Sequence, residues 1–269
     1  MKRLELRPTK HSYKVGDVCT MLKPNVTEDC FLLDSGEIIG FYIRDLRKYD
    51  VQLSNWVAIA NAEFNSKRVP KATMSRSSAI NARREGGLGV EQYSTIIGSV
   101  PPKPHMRRAY PTRSSVHDVK SAEVFVKAML NVCKGGEELI KKLTPEIYKN
   151  QKRIIEQNVP EEWRLGNLFT SSISNYNISA SYHIDNANLK NCVNMIFAKR
   201  DGSRGGNMNV PDFDATFGSF DNSLLVYPAW RNLHGVTPIV PTEPKGYRNT
   251  LVFYPLKAFK FEFDATLLG

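Results

Sequence analysis

Residues 178–199 read ISASYHIDNANLKNCVNMIFAK, two apolar runs separated by a polar segment that contains His183 and Asp185. This pattern predicts two short strands, near 178–183 and 191–199, joined by a loop. Side chains at positions i and i+2 of an extended segment point to the same side. The imidazole of His183 and the carboxylate of Asp185 are therefore expected to reach the same ion.

Further short strands are predicted on both sides of that segment. From about residue 167 onward the sequence predicts eight, separated by turns such as Asp-Gly-Ser and Glu-Pro-Lys-Gly. Their expected positions are 167–175, 178–183, 191–199, 206–210, 215–220, 223–228, 234–239 and 248–254. Eight such strands indicate a barrel or a jelly roll. We expect an α+β chain with a mainly β core, a cupin-like double-stranded β-helix over 165–269.

A second histidine stands where it can return to the same ion. His234 begins the seventh predicted strand, and in a jelly roll the second and seventh strands are neighbours. Two imidazoles and one carboxylate form a facial triad, which leaves coordination positions for a co-substrate and O2 at Fe(II). A lone His-x-Asp is weak evidence, because a strand-end histidine bonded to a neighbouring carboxylate gives the same pattern. The prediction depends on the combination with His234 and Arg248.

Arg248 opens the last predicted strand, and alternation places Thr250 on the same face. A guanidinium group matches a carboxylate through two parallel hydrogen bonds, and a hydroxyl adds one donor. This suits the distal carboxylate of 2-oxoglutarate. The alternative is a surface arginine in an ion pair, but the following LVFYPL is too apolar for a solvated face. Asn194 is either a further co-substrate contact or a buried amide satisfied by the core.

These residues together predict an Fe(II)- and 2-oxoglutarate-dependent dioxygenase that uses O2, within a single catalytic domain over 1–269. His183, Asp185 and His234 are its expected catalytic and metal-binding residues. Residues 1–65 predict strands and a helix, with a hairpin around Asp34-Ser35-Gly36 and the helix over 54–65.

Two helices over 116–160 are expected to support the core. Gly135-Gly136 is expected to end the first of them, and Thr144 with Pro145 to begin the second.

The segment 66–115 is predicted to be mostly loop, and it holds most of the net charge. Ten basic residues stand there against two acidic ones, so it contributes +8 of the chain's +10. Such a concentration suits a polyanion, although a solvated basic loop has the same composition. The expected phosphate contacts are Arg76, Arg83, Arg84, Lys103, Arg107, Arg108 and Arg113.

The motifs HIDNANLKN and HGVTP, with Arg248 downstream, resemble those of the TET/JBP family of nucleic-acid base dioxygenases. The resemblance covers about 167–256, and YSTIIGSVPPKPHMRRAYPTRSS is similar to the stretch upstream of that family's core. The compact chain resembles small phage or protist members. The resemblance implies hydroxylation of the 5-methyl group of a flipped pyrimidine in DNA, with conversion of 5-methylcytosine to 5-hydroxymethylcytosine.

The resemblance also implies two base contacts. Asn188 stands three residues after Asp185, where the family contacts the pyrimidine, and Tyr254 could stack on it. The alternatives are a turn asparagine and a core aromatic residue. Ile97 or Met106 could fill the vacated stack. Leu256 is a departure, since some relatives have a polar residue near that position.

Other functions stay open from the sequence. A thymine hydroxylase would have the same triad, as would a hydroxylase of the same fold acting on protein or a small molecule. A non-enzymatic alternative is a DNA-binding, degenerate jelly roll that has lost its metal.

The chain has no apolar run of roughly 18 residues, and residues 1–17 lack an apolar h-region, so we expect no secretory signal. Its four cysteines are scattered, so neither a zinc site nor a disulfide framework is expected. We expect a monomer without membrane contact, located in the cytoplasm, nucleoid or nucleus.

Overall fold

The computed structural model describes residues 1–73, 91–103 and 109–259. Within these ranges the chain forms three α-helices and sixteen β-strands. The helices are α1 (Val51–Asn65), α2 (Glu123–Leu143) and α3 (Pro145–Asn158). The strands are β1 (Lys2–Glu5), β2 (Cys30–Asp34), β3 (Glu37–Ile43), β4 (Ala72–Thr73), β5 (Tyr93–Val100), β6 (Thr112–Arg113), β7 (Ser171–Tyr176), β8 (Ala180–His183), β9 (Asn194–Asp201), β10 (Ser203–Gly205), β11 (Met208–Val210), β12 (Ala215–Phe217), β13 (Ser223–Tyr227), β14 (His234–Val236), β15 (Ile239–Pro241) and β16 (Tyr247–Tyr254).

Two sheets form the core of the molecule. The large sheet has the order β1-β2-β3-β13-β9-β16-β7-β5-β4, and the smaller one has the order β12-β11-β14-β8. The eight predicted strands correspond to β7, β8, β9, β11, β12, β13, β14 and β16. Four of them lie in each sheet, which is the double-stranded β-helix that the sequence predicts. The small pair β10 and β15 was not predicted.

Alternation along β16 gives the large sheet two different faces. Leu251 and Phe253 lie in the hydrophobic cluster that also contains α1 and α2. Arg248, Thr250 and Val252 point to the opposite side, where they line a cavity between the two sheets. The helices therefore cover one face of the large sheet and leave the other face to line the cavity.

The prediction that Gly135-Gly136 ends a helix is wrong, because α2 continues through both glycines to Leu143. A Cβ atom on Gly136 would collide with the Met195 side chain, and one on Gly135 would lie 2.9 Å from Leu53 Cδ1. The two glycines therefore allow α2 to pack closely against the sheet and α1.

The prediction of a loop over 66–115 is wrong for β5, which pairs with β7 along six residues. Ile97 on this strand is 1% exposed and belongs to the main hydrophobic cluster. It therefore cannot insert into a base stack. Met106, the alternative for that role, lies outside the described residues.

Two predictions about local structure, the hairpin and the first helix, are confirmed with adjustments, and a third is confirmed only in part. The hairpin joins β2 to β3 through Ser35 and Gly36, whose φ angles are 54° and 82°. Helix α1 begins at Val51, three residues before the expected start. Pro145 is the first residue of α3, but Thr144 does not cap it, because its hydroxyl donates to Ile140 O at 3.1 Å.

None of the helices in the described ranges combines the length and apolar character needed to span a bilayer.

Candidate active site

Two neighbouring strands of the smaller sheet bring the three predicted metal ligands together. His183 ends β8, His234 begins β14, and the two residues are partners in the register of this strand pair. Asp185 Oδ1 lies 3.6 Å from His183 Nε2 and 3.9 Å from His234 Nε2. All three potential ligand atoms lie within 4.8 Å of one another. Two imidazoles and one carboxylate at this spacing fit the Fe(II) donor set.

Backbone carbonyl groups determine which imidazole nitrogen faces the centre. His183 Nδ1 lies 2.8 Å from Ser181 O, and His234 Nδ1 lies 3.0 Å from Asn232 O. A carbonyl oxygen only accepts hydrogen bonds, so each Nδ1 carries the proton. Both Nε2 atoms then present lone pairs to the same point.

Burial also favours the neutral form of His234. Burial first, and then the nearby charge of His183, lowers the pKa of His234, while Asp185 acts in the opposite direction. A neutral imidazole is the form that binds a metal ion.

Two amides hold the other carboxylate oxygen of Asp185. Asn194 Nδ2 donates to Asp185 Oδ2 at 2.9 Å, and Asn188 Nδ2 donates to Asn194 Oδ1 at 2.8 Å. Asn188 Nδ2 also has a longer contact, 3.4 Å, with Asp185 Oδ2. Asp185 therefore turns Oδ1 toward the histidines and keeps Oδ2 for the amides. A co-substrate contact of Asn194 stays a prediction.

Arg248 is a buried cation on the cavity side of β16. It is 5% exposed, and its Nε donates to Ser219 Oγ at 2.8 Å. Burial, with the charge of Arg200, lowers the pKa of Arg248 to about 9, which leaves it charged at neutral pH. In the described part of the chain no carboxylate forms an ion pair with it. A buried charge of this kind is costly unless an anion binds there.

A double glycine adjoins Arg248 and a second arginine. Arg200 is the register partner of Arg248 on β9, and its Nη2 donates to Gly205 O. Gly205 and Gly206 have φ angles of 78° and 69°, in the left-handed region. A Cβ atom on Gly206 would lie 3.1 Å from Arg248 Nε.

One cavity of about 320 Å³ contains both the triad and Arg248. Asp185 is the only carboxylate among its described lining residues, and Arg248 is the only arginine or lysine. Most other walls are apolar. They include Ile173, Ile178, Ile196, Leu225, Val236, Val252 and Leu256. A ligand in this cavity can therefore reach the triad and the cation together.

Both predicted base contacts line the same cavity. Asn188 is 5% exposed, and its backbone forms a bridge with Leu256. Burial, with the charge of Asp185, raises the pKa of Tyr254 well above its ordinary value, so its hydroxyl stays protonated. Their contact with a base stays a prediction.

Most of the predicted phosphate contacts lie outside the described residues, namely Arg76, Arg83, Arg84, Arg107 and Arg108. Arg113 is described at the end of β6, where its Nη2 lies 3.2 Å from His117 Nδ1. Lys103 is described and partly exposed, just after β5. The register pairs Gly98 with Ser171, and Ser171 with Tyr254. The end of β5 is therefore level with Tyr254, which lines the same cavity as the triad.

The sequence did not predict several groups that shape this site. Ser219 binds Arg248 from the turn between β12 and β13, and the carbonyls of Ser181 and Asn232 orient the histidines. Local sequence has no signal for these long-range contacts. The two-residue offset before each histidine is their only regularity.

No protein-family model matches the chain, and no curated protein matches its sequence. Among solved structures, NgTET1 in complex with 5mC DNA is similar over 92% of this chain and 86% of that one, with 11% identity and a TM-score of 0.56. A 2OG-Fe(II) oxygenase family oxidoreductase from Burkholderia pseudomallei is similar over 82% and 86%, with 11% identity and a TM-score of 0.44. The chain shares the fold of the first structure over nearly its whole length.

Proposed function

We propose that this protein is an Fe(II)- and 2-oxoglutarate-dependent dioxygenase that hydroxylates the 5-methyl group of 5-methylcytosine in DNA. One observation supports the dioxygenase chemistry above the rest. The His183, Asp185 and His234 cluster shares a cavity with Arg248, a buried cation that has no carboxylate partner in the described ranges. A metal ion at the cluster and a carboxylate at the arginine would satisfy both features.

Each group of the cavity then has a distinct role. His183, Asp185 and His234 would bind the metal, and Asn194 holds Asp185 in place. Arg248 and Ser219, with Thr250 on the same strand face, would bind the distal carboxylate of 2-oxoglutarate. Iron with 2-oxoglutarate and O2 supplies hydroxylation of a C–H bond, with succinate and CO2 as the other products.

The amide network favours cytosine over thymine as the base. A carboxylate only accepts hydrogen bonds, so Asp185 orients the Asn194 amide, and Asn194 Oδ1 in turn orients Asn188. The NH2 group of Asn188 is thereby engaged, and its carbonyl oxygen is left to accept from a ligand. Cytosine offers an amino donor at N4, whereas thymine offers the acceptor O4.

DNA is the substrate class that the charge and the resemblance favour. A methyl group inside a duplex cannot reach a buried centre, so the base would be flipped into the cavity beside Tyr254. The net charge of +10 suits a polyanion. Lys103 follows β5, and Arg113 pairs with Ser99 near the end of β5 that is level with Tyr254. The solved NgTET1 structure of the same fold is a complex with 5mC DNA.

Nucleoside mass spectrometry after incubation with 5-methylcytosine DNA, Fe(II) and 2-oxoglutarate tests this proposal. We expect 5-hydroxymethylcytosine, and we expect none from His183→Ala, with Lys127→Gln on the exposed side of α2 as the matched surface control. Formation of 5-hydroxymethyluracil from thymine would show that the base is thymine and not 5-methylcytosine. Succinate formed with a peptide or metabolite, and with no oxidised base, would overturn the DNA assignment. Equal activity of His183→Ala and the control would overturn the assignment of the protein as an enzyme.

A further inference from the structure

A second cavity adjoins the first on the other side of the loop that follows β8. Its volume is about 310 Å³, and Asn188 lines both cavities. The walls of the second cavity come from the loop after β8, from Trp230 and Lys257, and from Ile154 and Asn158 on α3. The loop that presents Asn188 to the candidate active site therefore separates two spaces of similar size.

Trp230 lines this cavity, and its indole N–H is an unsatisfied hydrogen-bond donor. Its indole Nε1 is buried and has no partner in the described part of the molecule. Trp230 lies in the loop that joins β13 to His234. A buried N–H without an acceptor is unfavourable. This atom has almost no accessible surface, so an acceptor atom of a ligand in the cavity would satisfy it only after the indole ring turns.

The charges around the cavity indicate the kind of ligand. Lys190 and Lys257 line it and are exposed, and neither side chain has an ion pair within the described ranges. No acidic residue occurs among the described lining residues. The amides of Asn186 and Asn191 are among them. Two cations, several amides and one indole donor suit an anionic ligand with acceptor atoms.

We propose that the second cavity binds the nucleotide that adjoins the base held at the candidate active site. Lys190 and Lys257 contact its phosphate groups, and the Trp230 indole donates to an acceptor on its base or sugar-phosphate. Asn188 lies between the two nucleotides. This inference rests on the proposed function, because it takes the substrate to be a nucleic acid. It also assigns DNA contacts outside the segment 66–115, where the sequence places them.

The test compares a trinucleotide that contains a central 5-methylcytosine with 5-methyldeoxycytidine monophosphate, which cannot fill both cavities. Trp230→Phe keeps an aromatic ring and removes the N–H donor. We expect it to weaken trinucleotide binding by about three- to tenfold, the range that corresponds to one lost hydrogen bond, with a smaller effect on the mononucleotide. Trp56→Phe on α1 is the matched control and should bind like wild type. Fluorescence anisotropy measures binding, with Mn²⁺ in place of iron.

The lysines allow a second measurement that does not depend on the core around Trp230. Each of Lys190→Gln and Lys257→Gln should reduce the slope of log affinity against log salt concentration by about 1. Lys127→Gln, which removes an exposed charge on α2, should leave that slope unchanged. Wild-type affinity and slope in all three cavity variants would overturn the inference.

The outcomes separate this inference from the proposed function. Binding that Trp230→Phe weakens, without oxidation of any base by the wild type, would support the second cavity and overturn the dioxygenase assignment. Oxidation of 5-methylcytosine by the wild type, together with wild-type trinucleotide binding in all three cavity variants, would support the dioxygenase assignment and overturn the second cavity. A wild-type protein that neither binds nor oxidises the trinucleotide would overturn both.

Discussion

Arg248 is the residue that most restricts what the cavity can bind, because it is charged, buried and without an anionic partner in the described ranges. In Arg248→Met we expect the affinity for 2-oxoglutarate to fall about 10- to 100-fold, as for lost hydrogen bonds to a charged group. The ligand-free protein should be at least as stable as wild type, since a buried unpaired charge is removed. Thermal unfolding with and without 2-oxoglutarate, in the presence of Mn²⁺, measures both effects.

Ser219→Ala is the matched control for that arginine. It keeps the guanidinium group and removes a single hydrogen bond, so affinity should fall only about two- to tenfold. Unchanged 2-oxoglutarate affinity in Arg248→Met would contradict the co-substrate assignment.

Asn194 acts on the candidate metal centre through Asp185. Without its amide, the carboxylate of Asp185 loses its 2.9 Å donor and is free to rotate. We expect Asn194→Ala to lower metal affinity about 10- to 100-fold, as for other groups that hydrogen-bond to metal ligands. Titration with Mn²⁺ or Co²⁺ measures this directly.

Asn188→Ala provides the comparison, because Asn188 Nδ2 lies 3.4 Å from Asp185 Oδ2 and so holds it more weakly than Asn194 does. Its effect on metal affinity should be smaller than that of Asn194→Ala. Equal metal affinity in wild type and Asn194→Ala would show that Asp185 does not need this amide.

At the scale of elements, helix α2 depends on close contact with the large sheet. An alanine in place of glycine normally stabilises a helix, but a Cβ atom on Gly136 would collide with the buried Met195 side chain. We expect Gly136→Ala to lower the melting temperature by about 2–10 °C, given an overpacking cost of about 1–3 kcal/mol. Differential scanning calorimetry measures the change.

Lys134→Ala, on the exposed side of α2, should have little effect on the melting temperature. The penalty of Gly136→Ala should shrink in a Met195→Ala background, because the colliding side chain is then absent. A penalty that is the same in both backgrounds would place its cause elsewhere.

The eight core strands were predictable because each is short and bounded by turn residues. β5 was missed because glycine- and proline-rich sequences surround it, and its strand conformation depends on pairing with β7. The same reason applies to the site. The triad follows from spacing along the chain, whereas the contact of Ser219 with Arg248 and the amide network on Asp185 form only when distant segments meet.

At the scale of the whole molecule, a half-buried histidine links stability to pH. His117 Nε2 accepts a hydrogen bond from Gly98 N at 2.8 Å, and burial, then the charge of Arg113, lowers the pKa of His117 below 6.5. The unfolded chain therefore takes up a proton first as the pH falls. The stability from this residue is complete above about 6.5 and is lost progressively between that pH and the lower pKa of the folded state.

His117→Gln removes this titration and keeps an acceptor for Gly98. We expect the free energy of unfolding of wild type minus that of His117→Gln to be smaller at pH 5 than at pH 7.5. Urea unfolding at the two pH values measures it. A difference that is the same at both pH values would contradict the prediction.

The position of β16 in the large sheet has a consequence for synthesis of the protein. It lies between β9 and β7, although it follows both along the chain. Until residues 247–254 leave the ribosome, the β5–β7 pair and the β9–β13 pair have unpaired edges where β16 will lie, and such edges favour aggregation. The nascent chain thus contains all three candidate metal ligands, and the strands of the smaller sheet that position them, before the large sheet opposite is complete. A chaperone that covers those edges would protect the chain during this interval.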